Sequence, residues 1–294
     1  MQLSIWTGAY ADLPAADAVL KLRSLGWPAF DLCTEHVSAI AADRDPAARI
    51  EEFRAALAET ASSCRQAHAK LDADVGHPDA TRRAGDLSTV ESHLRLCARM
   101  GLREVVVHPG CQQGYTSAAE FREQLRANVA AFRRLGELAG ELGVRVCVEN
   151  LFDAVSRGRR CFGAMIRDLL ELFDAAKSPA LAAVLDTSHA NVQRLDIGAA
   201  IRELGGKLAA THISDNDGTG DQHRSPGHGR IDWRAVVAAL RETGYSGSFN
   251  LEIPGERHPE PAIHDLRMRH ARELAEAVLE LQAPQGLDRR PAAG

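Results

Sequence analysis

The chain has 294 residues, 45% hydrophobic and 26% charged, a globular composition long enough to bury a large core without disulfides. Its 40 acidic residues outnumber its 35 basic ones, for a net charge of −5. A surface that neutralises nucleic-acid phosphates needs an excess of Lys and Arg, so this balance counts against a nucleic-acid partner.

The opening MQLSIWTGAY has no basic segment followed by an apolar one, and no apolar run reaches membrane-spanning length, so the expected location is the cytoplasm. The six cysteines (Cys33, Cys64, Cys97, Cys111, Cys147 and Cys161) form no C-x-x-C pair and read as reduced thiols packed as small core residues.

Short apolar runs alternate with longer amphipathic ones, the pattern of parallel strands joined by crossover helices. Strands are predicted near Leu3–Trp6, at Ala29–Leu32, near Cys64–His68, and at Glu104–Val107, Arg145–Val148, Leu181–Leu185, Leu208–Ile213 and Ser248–Leu251. Helices are predicted between them at Pro14–Leu25, Asp45–Thr60, Leu87–Met100, Ala118–Leu142, Ala164–Ala176, Ile197–Leu204 and Asp232–Thr243, then at Pro261–Gln282. Gly101, Gly143 and Gly244 mark helix ends. In the second helix Ala55, Leu57 and Ala58 are expected to face the core. Eight strand signals with about as many helices predict a single (β/α)8 TIM barrel over residues 1–282, with a disordered tail at 283–294. No G-x-G-x-x-G follows the first strand, as a dinucleotide-binding sheet would require.

Chemistry in such a barrel sits at the C-terminal ends of the strands. The third to eighth strands end at or beside His68, His108, Glu149, Asp186, His212 and Glu252. One strand-end carboxylate is usually a helix cap, and one buried His is usually structural. Six successive strands delivering such groups to one rim is a different matter, since each would need its own coincidence. Oxygen and imidazole donors without a thiolate suit Mn2+, Co2+, Mg2+, Zn2+ or Fe2+. His189 lies one helical turn beyond Asp186, and Asp221 and His223 form a D-x-H in the next loop. Those three, together with His68 and His108, are candidates for substrate binding or additional metal. His77, His93, His258, His264 and His270 fall in loops or helices and are read as structural. Arg157, Arg159, Arg160, Arg224 and Arg230 lie in loops near the rim and could hold a phosphate.

The segments VENL, VLDTSHA, HISDND, SPGHGRIDW and LEIPG, with the D-x-H, resemble the xylose isomerase-like TIM barrel superfamily from the first strand to the eighth. That superfamily holds sugar and sugar-phosphate isomerases and epimerases together with the endonuclease IV type of DNA repair enzyme. Resemblance to the ketose 3-epimerases implies one metal, most often Mn2+, on Glu149, Asp186, His212 and Glu252. It also implies Glu149 and Glu252 as the catalytic acid–base pair, and His189 on a substrate hydroxyl. The reaction implied is proton abstraction next to a carbonyl through a metal-stabilised enediolate, on a sugar or sugar phosphate. The chain departs from those epimerases where FDAVSRGRR replaces a segment carrying a second Glu, and where Gly218 stands at the expected place of an Arg. Resemblance to the endonuclease implies instead a trinuclear zinc site on His68, His108, Glu149, Asp186, His189, His212, Asp221, His223 and Glu252. A related metal-dependent dehydratase is a further alternative. Barrels of this kind commonly form homo-oligomers.

Overall fold

A computed structural model describes residues 1–110, 113–153 and 159–281. Its eight strands are β1 (Gln2–Trp6), β2 (Ala29–Leu32), β3 (Ser63–His68), β4 (Glu104–Val107), β5 (Arg145–Glu149), β6 (Leu181–Asp186), β7 (Leu208–His212) and β8 (Ser248–Leu251). They form one sheet in the order β7-β6-β5-β4-β3-β2-β1-β8, and every pairing is parallel. The two ends of that order meet where the Ile213 N–H donates to Asn250 O at 2.7 Å and the Glu252 N–H to Ile213 O at 3.1 Å. The sheet thus closes into a TIM barrel.

Among the described residues ten α-helices run outside it: α1 (Ala15–Ser24), α2 (Thr34–Ala42), α3 (Pro46–Glu59), α4 (Ala80–Met100), α5 (Ala118–Leu142), α6 (Ile166–Ala176), α7 (Thr187–Val192), α8 (Ile197–Leu204), α9 (Trp233–Glu242) and α10 (Pro261–Leu279). Strand side chains are buried on both sides, which is why runs such as Val105–Val107 show no polar alternation. The helices cover the outer side with apolar stripes, as α5 does with Val129, Phe132, Leu135 and Ala139.

Strand positions follow the sequence reading within one residue, whereas helix boundaries differ more. The fourth helix starts at Ala80 rather than Leu87, because Asp79 Oδ1 accepts the Arg82 N–H at 2.8 Å and caps it there. Helices α2 and α7 were not anticipated; both are short and have little periodicity to show. In α3 the buried residues are Ile50, Phe53 and Ala56, while Ala55 and Ala58 are exposed and Leu57 is half-buried. The bulkier Ile and Phe set the phase of that helix. The expected tail at 283–294 lies outside the described residues.

At the closed end, buried Glu104 is gripped by Arg65 (2.8 and 3.0 Å) and Arg145 (2.6 Å), joining β3, β4 and β5. On the opposite side of the molecule's sequence order, Phe249 of β8 is fully buried and meets Trp233 of α9 edge-on at 6.3 Å. Phe249→Ala is expected to lower the unfolding free energy by about 3–5 kcal/mol, read as a lower urea midpoint with an unchanged slope.

Candidate active site

Parallel strands place all their C-terminal ends at one rim, and there a cavity of about 440 Å³ opens over His68, His108, Glu149, His189, Asp221, His223 and Glu252. Asp186 and His212 lie beneath it, both 0% exposed. All nine candidate residues therefore meet at one place.

Glu149 is the hub. Its Oε1 lies 2.8 Å from His212 Nδ1, and its Oε2 lies 3.2 Å from His68 Nε2 and 3.1 Å from His108 Nε2. Glu252 Oε2 stands 3.3 Å from the same His212 nitrogen. The rings of His68 and His212 stack at 5.7 Å, and His108 meets His68 edge-on at 5.0 Å.

Asp186 divides its oxygens between two tasks. Oδ1 accepts the His189 N–H at 2.8 Å and caps α7, while Oδ2 is buried with no hydrogen-bond partner among the described residues. His189 turns Nδ1 to Asn150 O at 2.8 Å and places Nε2 3.4 Å from Asp221 Oδ2. His223 Nε2 lies 2.9 Å from the same Asp221 oxygen, and its Nδ1 lies 2.9 Å from Glu252 O.

The loop carrying Asp221 and His223 is held from below by Asp215, which is fully buried. Asp215 accepts the N–H groups of Asn216 (2.9 Å), Gly227 (2.9 Å) and Ile231 (3.2 Å) and the indole N–H of Trp233 (2.9 Å). This explains the glycines of SPGHGRIDW: a Cβ on Gly229 would stand 2.2 Å from Asp215 Oδ1. His223 itself has φ +44°, a strained conformation for a residue with a side chain.

The electrostatics favour a cation. Burial alone would raise the Glu149 carboxyl, yet the His212 charge and the hydrogen bonds from His108, His212 and His68 hold it well below the usual carboxylate range. Burial would likewise lower His212, but Glu252, Glu149 and Asp31 raise it well above the usual imidazole range. Burial outweighs the neighbouring histidines at Asp186, which is pushed up to about 6. Three sets of donor atoms are each grouped within 4.8 Å: Glu149, Asp186, His212 and Glu252; His68, His108 and Glu149; and Asp186, His189 and His223. With the unpartnered Asp186 Oδ2, hard oxygen and imidazole donors of this kind fit a divalent ion.

The sequence missed several groups around this centre. Asp31, fully buried on β2, reaches His212 from beneath at 3.3 Å. Trp6, Leu71, Phe152 and Arg257 border the cavity. Phe152 packs on His189 at 5.0 Å, and the Arg257 guanidinium sits 5.0 Å over the Trp6 ring while donating to Gly8 O. Of the arginines singled out for phosphate, the described ones (Arg159, Arg160, Arg224 and Arg230) do not border the cavity. Arg159 pairs with Glu120 at 3.0 Å, Arg160 with Asp153 at 3.3 Å and Arg224 with Asp217 at 3.9 Å; Arg157 lies outside the described residues. Among described cysteines all five are free, and Cys111 lies outside them.

The family model described as xylose isomerase-like TIM barrel matches residues 19–274. L-ribulose 3-epimerase of Mesorhizobium japonicum is 27% identical over 189 residues, 62% of this chain and 58% of that protein. The chain spans between 50% and 58% of the length of three of the curated relatives it matches, that epimerase among them. A crystal structure of D-psicose 3-epimerase in the presence of D-fructose has a TM-score of 0.78 at 20% identity, covering 95% of this chain and 99% of that one. The 3-keto-D-glucoside 4-epimerase from E. coli has a TM-score of 0.77 at 20% identity, covering 94% and 99%. At these identities the structural likeness shows the fold alone. Among the described residues, no helix is long and apolar enough to cross a membrane.

Asp215→Ala would strand four donors, three of them buried, on the order of 1–3 kcal/mol for each that stayed buried. The loop is therefore expected to open to water, with trypsin cleaving at Arg224 and Arg230 several-fold faster than in the parent while the far-ultraviolet circular dichroism is kept.

Proposed function

We propose that this chain, which belongs to the xylose isomerase-like TIM barrel family, is a divalent-metal-dependent isomerase or epimerase of sugars or sugar phosphates. The observation that carries this reading is the convergence of Glu149, Asp186, His212 and Glu252, donor atoms within 4.8 Å, with both glutamates open to one cavity. The sugar 3-epimerases among its relatives support the same substrate class. Three carboxylates and one imidazole make Mn2+ the ion of choice.

The reaction is removal of a proton from a carbon next to a carbonyl. A divalent ion held by Glu149, Asp186, His212 and Glu252 supplies Lewis acidity that spreads the negative charge developing on the substrate oxygens. Glu149 or Glu252 takes the proton, and the other carboxylate, or the same one, returns it. Return to the opposite face epimerises; return to the neighbouring carbon isomerises. Loss of a β-hydroxyl from the same enediolate would give a dehydratase. His189, braced by Asn150 O and Phe152, holds a substrate hydroxyl. Trp6, Leu71 and Phe152 at the mouth limit the access of water.

One observation favours a second reading. The groups His68, His108, Glu149 and Asp186, His189, His223 could each hold a further ion, the arrangement a phosphodiester hydrolase of the endonuclease IV type would use. The net charge of −5 weighs against a nucleic-acid substrate.

Metal analysis separates the two. After re-equilibration with Mn2+ or Zn2+, one tightly held ion per chain is expected; three ions together with cleavage of abasic DNA would replace the sugar reading by the hydrolase. In heavy water the metal-loaded protein is expected to exchange the proton at C3 of a ketose substrate. Glu149→Gln and Glu252→Gln should each slow that exchange by about 10²–10⁴-fold with the fold intact. Persistence of exchange in both variants would remove these carboxylates from the acid–base roles.

A further inference from the structure

His212 faces two ways. Its Nδ1 looks up at Glu149 and Glu252, at 2.8 and 3.3 Å. Its Nε2 lies 3.3 Å from Asp31 Oδ2, within ion-pair range but without the alignment of a hydrogen bond, and has no hydrogen-bond partner among the described residues. Asp31 is on β2 and His212 on β7, strands that are not neighbours, so this approach crosses the barrel interior. Asp31 is 0% exposed and was not among the residues the strand ends singled out.

The surroundings of Asp31 are arranged for an acceptor. Its Oδ2 also takes N–H groups from Gln66 at 2.9 Å and Asn250 at 2.8 Å. Ser4 Oγ donates to Asn250 Oδ1 at 2.8 Å, and the Gln66 amide nitrogen also lies 3.5 Å from Thr211 O. Asp31 Oδ1 has no hydrogen-bond partner. A carboxylic acid here would meet donors with its O–H on one oxygen, or bury an O–H with nothing to accept it on the other. A buried, half-satisfied carboxylate is a costly residue for a barrel interior, and its position under His212 gives it a use.

We propose that Asp31 is a positioning residue for the metal centre: its carboxylate faces the Nε2 side of His212 at 3.3 Å, which favours a proton on Nε2, leaves Nδ1 free for a divalent ion and makes that nitrogen a stronger donor. The inference rests on the reading of His212 as a metal ligand.

The test uses the full chain stripped with chelator. In Asp31→Asn the side-chain carbonyl can still accept from Gln66 and Asn250, so the change removes charge with little change of shape. The new amide N–H group has no acceptor at the position of Oδ1, so the stripped variant is expected to melt lower; its Mn2+ dissociation constant, measured by calorimetry where that variant is still folded, should rise about 10–100-fold. A second measurement needs no variant. In the Zn2+-loaded parent, nitrogen-edited NMR should find the His212 ring proton on Nε2; a proton on Nδ1 would overturn the proposal. Equal Mn2+ affinity in parent and Asp31→Asn overturns the role of Asp31 alone. Loss of affinity only at temperatures where the stripped variant is already unfolded makes Asp31 structural and also overturns it. If the parent itself does not bind Mn2+, the reading of His212 as a ligand fails first.

Discussion

The contact on which the rim depends is the shared carboxylate of Glu149, with one oxygen turned to His212 and the other to His68 and His108. These side chains come from or directly follow β5, β7, β3 and β4, so one residue ties half the barrel's strands together at the end where they would otherwise splay. A carboxylate 1% exposed cannot stand there unless opposite charge or hydrogen-bond donors surround it. The histidines meet that need in the protein alone, and a divalent ion would meet it more completely. Everything else at the rim supports this arrangement: Asp31 and Asp215 fix the groups beneath and beside it, and the backbone of Asn150 fixes His189.

Much of this was legible in the sequence because barrel strands are short, apolar and parallel. A polar residue at the end of such a run stands out, and the fold then delivers every such end to one place. Glu149, Asp186 and Glu252 were visible for that reason, and the nine candidate residues do lie together. The division of eight of those nine, all but Asp221, into three overlapping donor groups was not legible, because it depends on side-chain directions across strands. Asp31 was hidden for the same reason: it sits inside a four-residue strand, and its partner is on the far side of the barrel. Asp215 was hidden because HISDND offers two aspartates, and only the folded loop tells the one turned inward from Asp217, which hydrogen-bonds Thr219 and Gln222 at the surface. Arg257 looked like any loop cation until the barrel brought Trp6 under it.

Asp186 shows why capping and metal binding are not rival explanations for a strand-end aspartate. A carboxylate has two oxygens. One satisfies the first turn of α7, and the other is left for the site, held in place by the helix it caps. The short helix that periodicity did not reveal is thus what aims the group that the strand pattern did reveal. The same economy holds in α7 itself, whose Ser188 donates to Asp221 at 2.6 Å and whose His189 lies across the cavity floor from Glu149 at 3.8 Å.

The overlap of the three donor groups has a consequence for how they would fill. Glu149 belongs to two of them, and so does Asp186. A carboxylate already neutralised by one cation attracts a second less strongly, and two cations bridged by one carboxylate repel each other. Loading would therefore be anticooperative, with each successive ion held more loosely than the last. The number of ions carried then becomes a function of free-ion concentration rather than a fixed count, and a shared ligand acts as a governor on occupancy.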